Sequence, residues 1–332
     1  VNLLEQRYRN VLRLLPASYR AGREEEMVAA FMEMSGDAPS VGSRPGWGEI
    51  ASVLALSVRV RFGAEGASPR AFAWGETVRL VALLGLAYQM MNAAINMVML
   101  IRALASADDR YPVGPGLSIG ETGAAACSAV AFMAIMRGSP RLAKTAALLS
   151  TTPTLVYFAI PLHMPGPAGM MRPLEEVANA LISIVPVIAL LLGFHRDVAP
   201  LRRSWRLTLS PLAAALMVLG WVAVGWYWLR LGESKWLYLW LDELGMLIVA
   251  LVVGAAVAIA RRREPSWPLA LSAIALLLLL ARLPMMIDLF GRPGYEIVNT
   301  VLSGQAALLA VLIGTLGTMG LRSLPDARAT LT

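Results

Sequence analysis

The chain has 332 residues, of which 57% are hydrophobic and only 15% charged, whereas a water-soluble domain carries about 25% charged residues. With a mean hydropathy of +0.62, this composition excludes an ordinary soluble domain and predicts an all-α, polytopic helical membrane protein. The excess of 29 Lys and Arg over 22 Asp and Glu, a net charge of +7, then reads as basic cytoplasmic loops, and no direct nucleic-acid binding is expected.

The single cysteine, Cys127, excludes an intramolecular disulfide, and with only His163 and His195 beside it no Cys/His zinc site can be assembled. No metal and no cofactor are expected. From Val1 to Arg23 the chain is charged and amphipathic, unlike the short apolar run of a cleavable signal, which assigns insertion to the first transmembrane helix.

Residues 1–76 read as a small cytosolic module of three helices. Leu3, Leu4, Val11, Leu12, Leu14 and Leu15 form one apolar stripe, and Met27, Val28, Phe31 and Met34 form a second beyond Pro16. Glu24, Glu25 and Glu26 fall early in the second helix, where negative charge complements the positive helix end. Gly36 to Gly46 reads as a loop, and Trp47 to Phe62 as a third helix presenting Ile50, Val53, Leu54, Leu56 and Val58. The stretch Gly63 to Arg70 reads as a link to the first span. Three short helices without a large core are marginal alone, so the module is expected to pack on inner loops, on the bilayer or on a partner.

The run Arg7-Tyr8-Arg9-Asn10-Val11-Leu12-Arg13-Leu14-Leu15-Pro16-Ala17-Ser18-Tyr19-Arg20, followed by Arg23-Glu24-Glu25-Glu26-Met27-Val28 and Phe31, resembles the N-terminal cytoplasmic adaptor of the HAAS and permease-prefix type. The resemblance covers residues 1–62 and departs from the pattern at Ser35 to Trp47. It implies a bacterial module that precedes a multi-pass membrane part and is associated with signalling, with a cytosolic regulatory protein as partner.

A helix needs about 20 mainly apolar residues to cross a bilayer. Eight runs within residues 77–320 qualify: Val78 to Leu104, Leu117 to Met136, Leu142 to Leu162, Val177 to Phe194, Leu207 to Leu229, Trp240 to Ala260, Trp267 to Phe290 and Ile297 to Leu316. Residues 321–332 form a tail. Pro153, Pro186 and Pro284 are expected to kink the third, fourth and seventh spans. Two small-residue stripes, Ala250-Gly254-Ala258 and Ala306-Ala310-Gly314, permit close backbone approach, either to each other or in a homodimer.

Lys and Arg concentrate in cytoplasmic loops. One side carries Arg137, Arg141, Lys144, Arg196, Arg202, Arg203, Arg206, Arg261, Arg262, Arg263, Arg322 and Arg328; the other carries Arg102, Arg110, Arg172, Arg230, Lys235, Arg282 and Arg292. The excess predicts a protein of the cytoplasmic (inner) membrane with both termini cytoplasmic. Trp205 and Trp267 then mark the inner interface, and Trp226, Tyr227, Trp228, Trp236, Tyr238 and Trp240 the outer one.

Strong catalytic motifs are absent from the sequence: no phosphate-cradling loop ending in Gly-Lys-Ser/Thr, no His-Glu-x-x-His, no Gly-x-Ser-x-Gly. Polar groups inside spans therefore carry the functional expectations, because they are costly in hydrocarbon. Gln89, Asn92 and Asn96 share one face of the first span as ligand-binding candidates, or as interhelical hydrogen-bonding groups worth about 0.6 kcal/mol each. Glu121, Asp242, Glu243 and Asp288 gather toward the outer side and are the candidate acids if the protein is an enzyme. Arg282, about 22 Å along its helix from Trp267, either pairs with one of these acids or snorkels outward. Asp288 is six residues away and does not share its helix face.

Three function classes follow. The first is a signalling or regulatory membrane protein whose bundle acts through the adaptor. The second is a transporter or permease subunit, and the third an intramembrane enzyme that protonates a lipid or terpenoid with a buried acid.

Overall fold

A computed structural model describes residues 3–35, 45–64, 67–106, 115–159, 171–195, 211, 214–216, 219–220, 239–240, 242–260 and 264–325. Among the described residues every regular element is a helix. In chain order they are α1 (Leu3–Leu12), α2 (Ala17–Ser35), α3 (Trp47–Arg61), α4 (Pro69–Ser106), α5 (Pro115–Met136), α6 (Pro140–Ser150), α7 (Thr152–Ala159), α8 (Met171–Gly193), α9 (Glu243–Ala260), α10 (Ser266–Leu289) and α11 (Glu296–Arg322). The chain divides into two compact units, one containing Val1–Val78 and the other Arg79–Leu191 and Pro200–Ser323.

In the first unit, the apolar stripes of α1, α2 and α3 enclose a core of Tyr8, Leu12, Leu15, Tyr19, Val28, Phe31, Val53 and Val60. Tyr8 stacks on Phe31 with ring centroids 3.9 Å apart, a contact worth about 1 kcal/mol beyond its area. Pro16 ends the first stripe as expected, and the Pro16 carbonyl accepts from Tyr19 and Arg20 at 3.1 Å. Ser57 Oγ donates to the Leu14 carbonyl at 2.6 Å, fastening α3 to the α1–α2 corner. On the surface Arg9 grips Glu25 through two hydrogen bonds of 2.7 and 2.9 Å, which holds the Glu25 carboxyl below the ordinary glutamate value. Such an exposed pair contributes little to stability but ties α1 to α2.

The expected link Gly63 to Arg70 is shorter than the sequence reading has it, because α4 begins at Pro69. Ser68 caps this start: its Oγ accepts from Ala71 N at 3.3 Å, and Pro69 follows at the first helical position, where its missing N–H costs nothing. The third expected span is also divided. Helix α6 stops at Ser150 and α7 restarts at Thr152, since Pro153 cannot donate to the carbonyl four residues back. Thr151 instead turns its N–H to Leu148 O at 3.2 Å. Pro186 and Pro284 lie inside α8 and α10.

Among the described residues, four helical stretches are long and apolar enough to cross a membrane: Pro69–Val98, Glu176–Gly193, Ser266–Leu289 and Glu296–Arg322. Thr122–Met136 and Leu244–Ala260 are apolar but shorter. The fifth expected span, Leu207 to Leu229, lies mostly outside the described residues, as do Trp226, Tyr227, Trp228, Trp236 and Tyr238 of the aromatic cluster and most of the basic loops.

In the second unit α9, α10 and α11 enclose an apolar core, which includes Ile248, Leu251, Ala255, Leu271, Ala275, Leu278, Leu309 and Leu316. Helix α11 approaches α10 through Gly320 and Gly317. A Cβ on Gly320 would sit 2.6 Å from Leu269 Cγ, and one on Gly317 would sit 3.3 Å from Ser272 Oγ. Of the small-residue stripes read from sequence, Gly254 faces Leu271 at an ordinary 3.7 Å, while a Cβ on Gly314 would meet nothing within 4 Å. A second cluster places Met91 and Ile95 of α4 against Ala215 and, partly buried, Met246 and Leu247 of α9.

Candidate functional site

A buried polar cluster of the second unit forms where α9, α10 and α11 meet Leu239, Trp240 and Asp242. Asp242 precedes α9 as its cap. Its Oδ1 accepts from the backbone N–H of Gly245 at 2.6 Å, satisfying one of the amides that a helix start leaves without a partner. Gly245 is required there, because a Cβ would collide with the Leu239 and Trp240 carbonyls.

Two side chains from different helices converge on Leu239 and Asp242. Arg282 of α10, with 2% of its surface exposed, donates from Nη2 to Asp242 Oδ1 at 2.6 Å and to Leu239 O at 3.3 Å. Gln305 of α11, fully buried, donates from Nε2 to the same Leu239 O at 2.8 Å. Arg282 Nε and Gln305 Oε1 are buried without a hydrogen-bond partner among the described residues. One carboxylate oxygen and one carbonyl oxygen thus bind three helices together, and the charge of Arg282 is balanced within the bundle. Asp242 keeps 21% of its side chain exposed.

The remaining candidate residues are engaged elsewhere. Asp288 lies at the exposed end of α10 and pairs with Arg292 at 2.5 Å, one helical turn on, so the two acids Asp242 and Asp288 serve different arginines. The side chains of Glu121 and Glu243 lie outside the described ones. Gln89 donates from Nε2 to the Ser183 carbonyl of α8 at 2.9 Å, with its Oε1 unpartnered among the described residues. One turn away, a Cβ on Gly85 would collide with Pro186, so α4 and α8 approach closely here. Asn92 is half-buried and Asn96 exposed, so the face shared by Gln89, Asn92 and Asn96 is graded from packed to open. Among the described residues no group of three or more His, Cys, Asp or Glu is placed to hold a metal ion.

No protein family, curated protein or solved structure matches this chain. The resemblance of residues 1–62 to the HAAS and permease-prefix adaptors rests on the residues quoted for it alone.

Gln305, Leu239 and Gly245 are absent from the candidates read in the sequence. Gln305 carries the same signal that selects Gln89, a long polar side chain inside an apolar run. The Leu239 carbonyl carries none, because its role depends on which helices meet it. Asp242 directly before the apolar run of α9 is a helix-start signal readable beforehand, whereas Gly245 carries none.

Proposed function

We propose that the chain is an integral membrane protein of the signalling or regulatory class, with about eight spans and both termini in the cytoplasm. In this reading residues 1–62 present a docking module to a cytosolic partner. The observation that carries it is the engagement of Asp242 and Arg282. Asp242 Oδ1 already accepts a guanidinium and an N-cap amide, which supports a structural role for this acid.

An acid-initiated enzyme needs its carboxyl as a protonated donor, and a transporter needs its polar groups along a passage. The geometry at Asp242 and Asp288 fits neither as well as it fits structural pairing. The apolar core of the first unit supports a module that keeps its own shape while its partner changes.

The test is complementation of a deletion strain. A chain lacking residues 1–62 and present in the membrane at normal level is expected to fail, whereas Asp288→Asn in the full chain is expected to restore function. Full complementation by the truncated chain would overturn the reading. Turnover of a lipid substrate that disappears in Glu121→Gln or Glu243→Gln would replace it with the enzyme.

A further inference from the structure

Helix α3 is apolar on two opposite sides, and only one is used by the first unit. Val53, Leu56 and Val60 face the core, with Ser57 bonded to Leu14 O. Trp47, Leu54 and Val58 recur at intervals of seven and four residues, which at 3.6 residues per turn aligns them along the other side. They are exposed, Trp47 by 86% and Leu54 by 47%, and Ala51 and Ala55 between them are exposed as well. Arg61 closes this stripe at the last turn, where its Nη2 donates to Leu14 O at 3.2 Å, and Arg59 flanks it.

What covers the stripe is indicated by the chain that follows. After α3 the backbone turns at Gly63, whose φ of +85° suits glycine, and α4 begins at Pro69. A Cβ on Gly75 would collide with the Phe62 carbonyl, and one on Gly63 would lie 3.3 Å from Phe72 Cα. The end of α3 is therefore held against residues 72–75 of a helix that is long and apolar enough to cross a bilayer. Those same residues display Phe72 and Trp74, exposed by 45% and 37%. Aromatic side chains of this kind at the start of a span sit at headgroup depth.

We infer that the Trp47-Leu54-Val58 face of α3 lies on the bilayer as an interfacial helix, with Arg59 and Arg61 toward anionic lipid headgroups. A large aromatic and branched aliphatics on one side, with arginines at the flank and end, is the composition that binds in the headgroup region. The inference stands apart from the regulatory reading, since the face would rest on lipid whatever the bundle does.

The experiment uses the full chain with Cys127→Ser, reconstituted in vesicles of phosphatidylcholine with or without phosphatidylglycerol. Single nitroxide labels are placed at Leu54→Cys, Val58→Cys and, as the exposed reference on α2, Ala30→Cys. Labels at 54 and 58 are expected to collide more often with oxygen than the reference and roughly threefold less often with a water-soluble nickel chelate, as for side chains within the apolar boundary. Phosphatidylglycerol should enlarge this difference, and Arg61→Gln should remove the enlargement. Nickel access at both sites equal to that at position 30 would overturn the inference. Protection from oxygen and nickel alike would also overturn it, by assigning the face to a protein or a second copy of the chain.

Discussion

Asp242 does two things with one oxygen: it caps α9 and neutralises Arg282. Removing the charge alone separates the two roles, since asparagine remains a good cap while the arginine is left buried without its counter-charge. Asp242→Asn is therefore expected to destabilise the bundle by about 3–5 kcal/mol. Combining it with Arg282→Leu should recover much of that loss, because the uncompensated charge is gone. Reversible unfolding in mixed micelles, arranged as a double-mutant cycle, measures both effects, and a single variant within 1 kcal/mol of the parent would show that the pair is not held as described. The sequence leaves Arg282 either to pair with one of the outer acids, Asp242 among them, or to snorkel outward. Helix spacing already disfavours Asp288, which faces Arg292, but only the structure selects Asp242, 40 residues away in sequence, as the bonded acid.

Helix boundaries are more legible than helix contacts. The start of α4 at Ser68-Pro69, the break before Pro153 and the cap at Asp242 follow local rules of backbone hydrogen bonding, and each can be read from a few residues. Which glycines serve close approach cannot be read this way. The Ala306-Ala310-Gly314 stripe has the spacing of a packing face, yet α11 meets α10 through Gly317 and Gly320 instead. This predicts opposite outcomes for two identical substitutions on one helix. Gly320→Ala drives a methyl into Leu269 and is expected to cost about 1–3 kcal/mol. Gly314→Ala meets open space and is expected to be neutral or to stabilise by up to about 1 kcal/mol through helix propensity. Thermal unfolding of the two variants in the same detergent decides this, and equal losses would mean that the contact face of α11 is misassigned.

At the level of the whole chain, apolar length and the distribution of basic residues determine a great deal. The proposed topology, with both termini cytoplasmic, predicts that a fluorescent protein fused after Thr332 is bright and that alkaline phosphatase fused there is inactive. Fusion within Asp108 to Gly116 should give the reverse, and a bright fluorescent fusion at that outer loop would refute the orientation. What the sequence by itself determines is a helical chain with membrane-length apolar segments, because composition, periodicity and turn chemistry act over one or two turns of backbone. Only the tertiary structure decides that Arg282, Asp242, Gln305 and the Leu239 carbonyl form one buried knot, and that one of the two apolar sides of α3 is left uncovered. Both depend on which distant segments meet, and a helix that is apolar on two sides gives no local signal of which side its neighbours will take.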